Sequence, residues 1–401
     1  MNWVETTVGE YCPFVYGKGL PKAKRVNGTV PVYGSNGVVD SHIEAHVYQH
    51  GVIIGRKGTC GAVTLSESDF WPIDTTFYVT KDSLDETRFV YYLLSSLGME
   101  HMNSDSAVPG LNRDNAHSLR IVIPERKEDR ERLGAYLALF DEKIELNIRM
   151  NQTLEKVAQR IFMSWFVDFD PVKANVEGVS FNRLSPEIHS LFPSEFEESE
   201  LGLIPKGWKV STIGKEFDVT MGQSPPGSSY NESNEGILFF QGRRDFGFRY
   251  PSERVFTNQP KRLASAGDTL LSVRAPVGDI NKALKDCCIG RGVGALRHKS
   301  GCESFTYYSA MRLKLIFDSY DGEGTVFGSI NQIELKSIKV IAPCKKVLKS
   351  FSNIVGPLDE KIKVNTLQID ILSKIRDKLL PRLISGQITI EKANELMEEV
   401  C

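Results

Sequence analysis

Seven residues are written twice in this chain. Asp141–Asn147 reads DEKIELN and Asp359–Asn365 reads DEKIKVN, 218 positions apart. A self-match at long range constrains a fold strongly, because both copies answer to the same structural demand. The match extends outward. Gly110–Pro124 (GLNRDNAHSLRIVIP) aligns with Ser329–Pro343 (SINQIELKSIKVIAP) at an offset of 219, with Asn112 on Asn331 and Pro124 on Pro343. Further upstream NWVETTVGE resembles GWKVSTIGK at an offset of 205, with Trp3 on Trp208 and Gly9 on Gly214. The chain therefore reads as two units of one plan, each a globular module followed by a helix. The change of offset places extra residues in the second module, expected around Ser224–Gly236 (SPPGSSYNESNEG).

Each DEKI copy lies on a strongly periodic helix. Leu133, Leu137, Phe140, Ile144, Asn147, Asn151, Leu154, Ala158, Ile161 and Trp165 follow an unbroken 4-3 spacing. Phe351, Val355, Leu358, Ile362, Asn365, Ile369, Leu372, Arg376, Leu379 and Leu383 do the same. Such a run is the signature of a coiled-coil seam. The simplest reading pairs the two helices antiparallel about a pseudo-two-fold axis near Arg149, with Asn151 facing Asn365. Asn147, Asn151 and Asn365 are the candidate register residues, because a buried Asn needs a polar partner. The modules read as strand-rich with short helices: TVPVYG, GVIIGRKG, TTFYVT and LRIVIP in the first, ILFFQG, DTLLSVRAP, GVGALRH and IKVIAP in the second. The predicted class is α+β. Its segments are a first module (1–130), a first coiled-coil helix (131–171), an acidic linker (172–204), a second module (205–346), a second coiled-coil helix (347–386) and a tail helix (387–401).

Composition is that of a soluble globular protein, 41% hydrophobic and 25% charged, with a net charge of -2. No apolar run approaches the roughly 20 residues that cross a bilayer. The start, MNWVETTVGEY, has neither the basic nor the apolar part of a secretory signal. Seven cysteines, an odd number without framework spacing, predict reduced thiols and a cytoplasmic location. No catalytic constellation stands out. There is no phosphate-binding G-x-x-x-x-G-K-[ST] loop and no G-x-S-x-G elbow, and GRGVGAL is weak evidence for a dinucleotide fingerprint. His42, His46 and His50 are spaced four apart, but their neighbours favour a strand or loop over a metal-binding helix face.

Basic residues bunch on this near-neutral chain. Lys22, Lys24 and Arg25 lie in KGLPKAKR. Arg56, Lys57 and Thr59 sit on the Gly-rich stretch IGRKGTCG, and Arg274 sits in SVRAPVGD, taken as its counterpart. Arg243, Arg244 and Arg249 stand among aromatics in FQGRRDFGFRY. Flexible backbone with Arg suits a phosphate or groove contact, and finding the device twice favours DNA over two solvated turns.

DEKIELNIRMNQTLEKVAQRIFMSWFVDFDPV closely resembles the central helical region of the specificity subunits of type I restriction–modification enzymes. ILSKIRDKLLPRLISGQI is similar to their C-terminal helical region, GRKGTCGAV…FWPIDTTFYV to a target-recognition domain, and IPKGWKV to the start of the second. The resemblance spans nearly the whole chain. It implies two target-recognition domains held apart by the two antiparallel helices. Each would read one half of a split double-stranded DNA target. Two methyltransferase subunits would dock on the helices and restriction–translocation subunits would join them. It also implies a non-catalytic chain without a cofactor or metal of its own, the S-adenosylmethionine, ATP and Mg sites belonging to the partners. Two other readings stand beside it. One is a protein-assembly scaffold, which would fail to bind DNA at any salt. The other is an enzyme built on the histidines, which would carry stoichiometric metal.

Overall fold

The computed structural model describes residues 1–102, 110–274, 276–314, 316 and 328–398. Two long helices, Lys127–Phe166 and Lys345–Ile384, each hold 40 residues. The chain forms two compact units, Met1–Arg149 with Asn365–Cys401, and Met150–Val364. Each unit is thus a module built on half of both long helices, rather than a module with its own helix.

In the first unit, Trp3–Thr7 pairs antiparallel with Arg120–Pro124. A four-stranded sheet runs in the order Val15–Tyr16, Thr76–Val79, Gly51–Gly55, Val63–Ser66. A three-stranded sheet places Val30–Gly34 between Gly37–His42 and Trp71–Pro72. The continuous run GVIIG is explained by burial on both faces, since all five residues are buried. The helix Leu84–Ser95 lays Phe89, Val90 and Leu93 into a core with Leu133 and Leu137 of the first long helix and Leu379, Leu383 and Ile384 of the second. The beginning of one helix therefore meets the end of the other, the antiparallel sense. Each fully buried leucine contributes about 1.5–3 kcal/mol relative to exposure.

Gly134 permits the close approach of this helix. A Cβ there would stand 2.0 Å from the Asp85 carbonyl oxygen and 2.7 Å from the Phe89 nitrogen. Gly134→Ala would gain about 0.8–1 kcal/mol of helix propensity. Overpacking against rigid backbone costs about 1–3 kcal/mol and wins. The variant is expected to unfold at lower denaturant than wild type, and an unchanged or higher midpoint would refute this packing account.

In the second unit, Lys209–Thr212 pairs antiparallel with Lys339–Ala342. Its four-stranded sheet has the same plan, in the order Phe217–Met221, Val293–His298, Thr269–Ser272, Ile280–Lys282. A second sheet of five short strands is centred on Ile237–Phe240. The core joins Phe162, Trp165 and Phe166 of the first long helix to Val347, Phe351 and Val355 of the second, again antiparallel. Residues 172–204, expected as a linker, belong to this core. They carry the end of the helix Asp170–Glu177, the turn Pro186–His189 and the hairpin Phe196–Ser199/Gly202–Pro205. Val172, Phe192 and Ile204 are buried. The acidity that suggested a linker lies on the hairpin's exposed side chains, such as Glu197 and Glu198.

The two units repeat residue by residue. Val52 opposite Val79 corresponds to Thr269 opposite Leu296, and Val4 opposite Ile123 to Lys209 opposite Ala342. Asn112 caps Arg113–His117, accepting from the Asn115 N–H at 3.1 Å. Asn331 caps Gln332–Ser337, accepting from Ile333 and Glu334. The repeated Asn thus satisfies backbone donors that a helix start leaves open. The extra residues of the second unit lie elsewhere than expected. The parallel pair Val32–Trp71 corresponds to Phe239–Cys288. The offset is therefore 207 at Phe239 and 217 at Thr269, so most of the insertion falls between Phe240 and Thr269 and little of it in Ser224–Gly236.

The repeated DEKI now has a physical reason. Asp141 accepts from the Tyr92 hydroxyl at 2.6 Å and pairs with Arg376. Asp359 accepts from the Tyr308 hydroxyl at 3.1 Å and from Ser304 at 2.6 Å, and pairs with Arg249. In each unit this aspartate ties a Tyr-Tyr helix of the module to a long helix. All twenty seam positions are buried or half-buried. Asn147, Asn151 and Asn365 are at most 2% exposed, and Asn147 Nδ2 donates to Gln368 Oε1 at 3.3 Å.

Candidate functional site

A short turn recurs in both units with the same backbone bonds. In the first, Gly55 N–H donates to Ala62 O and Gly61 N–H to Gly55 O, both at 2.8 Å. In the second, Ser272 N–H donates to Asp279 O at 2.9 Å and Gly278 N–H to Ser272 O at 3.0 Å. Gly61 and Gly278 both have positive φ, +75° and +97°. Cys60 and Val277 fill the same buried position beneath. The outer side of each turn is tied down by an antiparallel bridge, Lys57 with Gly110 and Arg274 with Ser329.

This register pairs the two turns residue by residue. Arg274 corresponds to Lys57, and Arg56 corresponds to Val273, whose carbonyl accepts from Ile330 as the Arg56 carbonyl accepts from Leu111. Lys57, Thr59 and Arg274 are exposed. Arg56 is already engaged: its Nε donates to the Asp74 carbonyl at 3.1 Å, as does Nη2, and its guanidinium stands 5.4 Å from the Tyr16 ring centre.

The other basic candidates divide by burial. Lys22 and Lys24 are exposed on a single 3₁₀ turn. Arg25 is folded back, donating to Leu20 O at 3.2 Å and to Asp40 Oδ2 at 3.3 Å. The Ser41 N–H, then Arg25, hold the Asp40 carboxyl below its usual range. Arg243 pairs with Asp279 at the second turn, where Lys314 stands 3.9 Å from the same carboxylate. Arg244 is exposed.

Arg249 is no surface cation. Its side chain is 0% exposed, pairs with Glu155 at 3.2 Å and with Asp359, and lies 3.9 Å from the Tyr307 ring centre. It holds the second module to both long helices. Burial pushes the Glu155 carboxyl up, and Arg249 pulls it back down.

None of the three histidines lies on a helix, and His42 and His46 both pack on Trp71. His42 Nδ1 accepts from the Val26 N–H at 3.0 Å, His46 packs on Trp71, and His50 Nδ1 bonds Thr87 Oγ1 at 2.9 Å. Among the described residues no group of three or more His, Cys, Asp or Glu is placed to hold a metal ion. Burial pushes the Cys12 and Cys287 thiols up to about 12, which makes them packing groups rather than nucleophiles. Among the described residues no helix is long and apolar enough to cross a membrane.

Two residues beside the first turn carry no sequence motif. Tyr16 and Arg113 meet there, the guanidinium 5.0 Å from the ring centre. The only signal available was a basic residue directly after a helix-capping Asn.

Residues 1–156 match the family described as Type I restriction modification DNA specificity domain. The chain is 31% identical over 317 residues to the specificity subunit assigned to type I restriction enzyme MjaX of Methanocaldococcus jannaschii, covering 76% of this chain and 69% of that one. It is 25% identical over 389 residues to the type I restriction enzyme HindI specificity subunit of Haemophilus influenzae, covering 80% and 82%. A crystal structure of the type I restriction–modification S subunit from M. genitalium superimposes with a TM-score of 0.65 over 97% of both chains at 16% identity, which shows a shared fold.

Proposed function

The chain belongs to the specificity subunits of type I restriction–modification systems, and from that premise we propose that its two modules each read one half of a two-part double-stranded DNA target. The long helices space the two halves and dock two methyltransferase subunits, and restriction–translocation subunits complete the assembly. One chain with an internal repeat offers equivalent docking surfaces to two identical partners. S-adenosylmethionine, ATP and Mg are assigned to those partners, and this chain supplies recognition without catalysis in the cytoplasm.

The observation that supports the reading best is the recurrent turn. Its backbone bonds are the same in both units, while its side chains differ. A scaffold repeated for assembly alone has no need of that difference; two readers with different targets do. In this reading Lys57, Thr59 and Arg274 are first contacts at the two turns, and Lys22, Lys24, Arg243 and Arg244 supply phosphate contacts. Arg25 and Arg56, engaged internally, shape the surface around them. Asn147, Asn151 and Asn365, each buried on its own helix, are the register residues of this reading.

The test is methylation mapping and duplex binding with the chain assembled with its methyltransferase subunits. Lys57→Ala should weaken recognition of one half-target and Arg274→Ala of the other, each by about 1–3 kcal/mol. Wild-type binding by both variants would show that the turns are structural only.

A further inference from the structure

Two guanidinium groups converge on one exposed ring in the first unit. Tyr16 is 49% exposed and braced edge-on by Phe77 at 5.0 Å. Arg56 stands 5.4 Å from its centre and Arg113 5.0 Å. Arg56 is fixed by the Asp74 carbonyl. Arg113 is held differently. Its side chain is 39% exposed, and its Nε comes no closer than 3.7 Å to Asp114 Oδ1. That Nε is shielded from solvent and has no hydrogen bond among the described residues. Its place over an aromatic face orders the planar fork, while one of its donors, Nε, is left without a partner among the described residues.

The internal repeat supplies an independent argument. Gly17 N–H donates to Thr76 O as Gly222 N–H donates to Val293 O, so Tyr16 corresponds to Met221. By the turn bonds Arg56 corresponds to Val273, and by the capping Asn residues Arg113 corresponds to Gln332. Residues that hold the shared backbone recur in both units: the capping Asn, the positive-φ Gly of the turn, the aspartate of DEKI. All three members of this cluster are replaced. The fold does not require them, and they sit together beside the exposed turn.

We infer that Arg113 is a specificity-determining residue of the first module, reading a guanine in its half-target, with Tyr16 and Arg56 as the platform that positions it. The inference rests on the DNA-reading function proposed above. A planar fork held in place matches the two acceptors of a guanine edge, the commonest specific contact of arginine.

The experiment uses the chain assembled with its methyltransferase subunits and duplexes carrying the target mapped with the wild type. Each guanine of the first half-target is replaced in turn. Arg113→Ala should bind the intact target about ten- to one-hundred-fold more weakly. It should also lose discrimination at one guanine position, while discrimination in the other half, the internal control for folding, stays intact. Arg113→Lys keeps the charge without the fork and should remain defective. Restored binding by Arg113→Lys, with Arg113→Ala weakened equally on every duplex, would identify a phosphate contact and overturn the assignment. So would wild-type discrimination by Arg113→Ala, or a first half-target without guanine. If the wild-type assembly itself shows no sequence preference, the underlying function fails instead.

Discussion

Replacing Arg249 with alanine is expected to destabilise the second unit by about 3–5 kcal/mol, because it strands the buried Asp359 and the half-buried Glu155 carboxylates. Asp359 and Glu155 both face Arg249, and the Tyr308 hydroxyl receives its Nη1 at 2.9 Å. The neighbouring Arg244→Ala should stay within about 0.5 kcal/mol of wild type, since Arg244 is exposed. Denaturant unfolding of the two variants gives the comparison. The pH dependence supplies a second readout. Burial holds the Glu155 pKa above that of an exposed glutamate, and Arg249 opposes this. Without Arg249 the rise is larger, so the folded variant binds more protons than its unfolded chain. Stability of Arg249→Ala relative to wild type should therefore recover as pH falls through the glutamate range. Equal stability of Arg249→Ala and Arg244→Ala would sink this account.

Lengthening both long helices by four residues should lengthen the unread stretch between the half-targets. The insertions belong after Arg149 in the first helix and after Val364 in the second, where the two units divide, so that contacts inside each unit survive. A site beyond Trp165 would not serve, because Trp165 and Phe166 are buried in the core of the second unit. Four residues add about 6 Å and slightly more than one turn of helix. A four-residue insertion in both strands of a coiled coil is absorbed by local unwinding. At roughly 3.4 Å per base pair the spacer should grow by one or two base pairs. The half-target sequences should not change, since no reading turn is altered. Methylation mapping of the variant decides it: an active assembly with the original spacer would mean that the helices do not set the distance.

The amino-acid sequence by itself determined the repeat, the two periodic seams, the recurrence of Asn112 at Asn331 and eight of the strands, those at the centre of the modules among them. These depend on local rules: a period of two or of three and a half, and a polar side chain at a helix start. Tertiary structure alone decided which polar residues are spent inside the fold. Arg249 sits in a run of arginines and aromatics that reads as surface, yet its partners Glu155 and Asp359 lie 94 and 110 positions away. No local pattern announces such a partner. Arg56, Lys57 and Thr59 read alike as candidates on one turn, but a carbonyl 18 positions on takes the Arg56 guanidinium, and Lys57 proves to be the residue equivalent to Arg274. Tyr16 and Arg113 are 97 positions apart and are neighbours only in the folded chain, beside the bridge of Lys57 to Gly110. The acidic stretch 172–204 read as a linker because its charges are plain in sequence, whereas the burial of Val172 and Phe192 depends on aromatic side chains such as Trp165 and Phe166. Periodicity reports which face of an element is covered. It does not report what covers it, and at this protein's exposed turns that is what separates a cation left on the surface, such as Lys57, from one engaged inside the fold, such as Arg56.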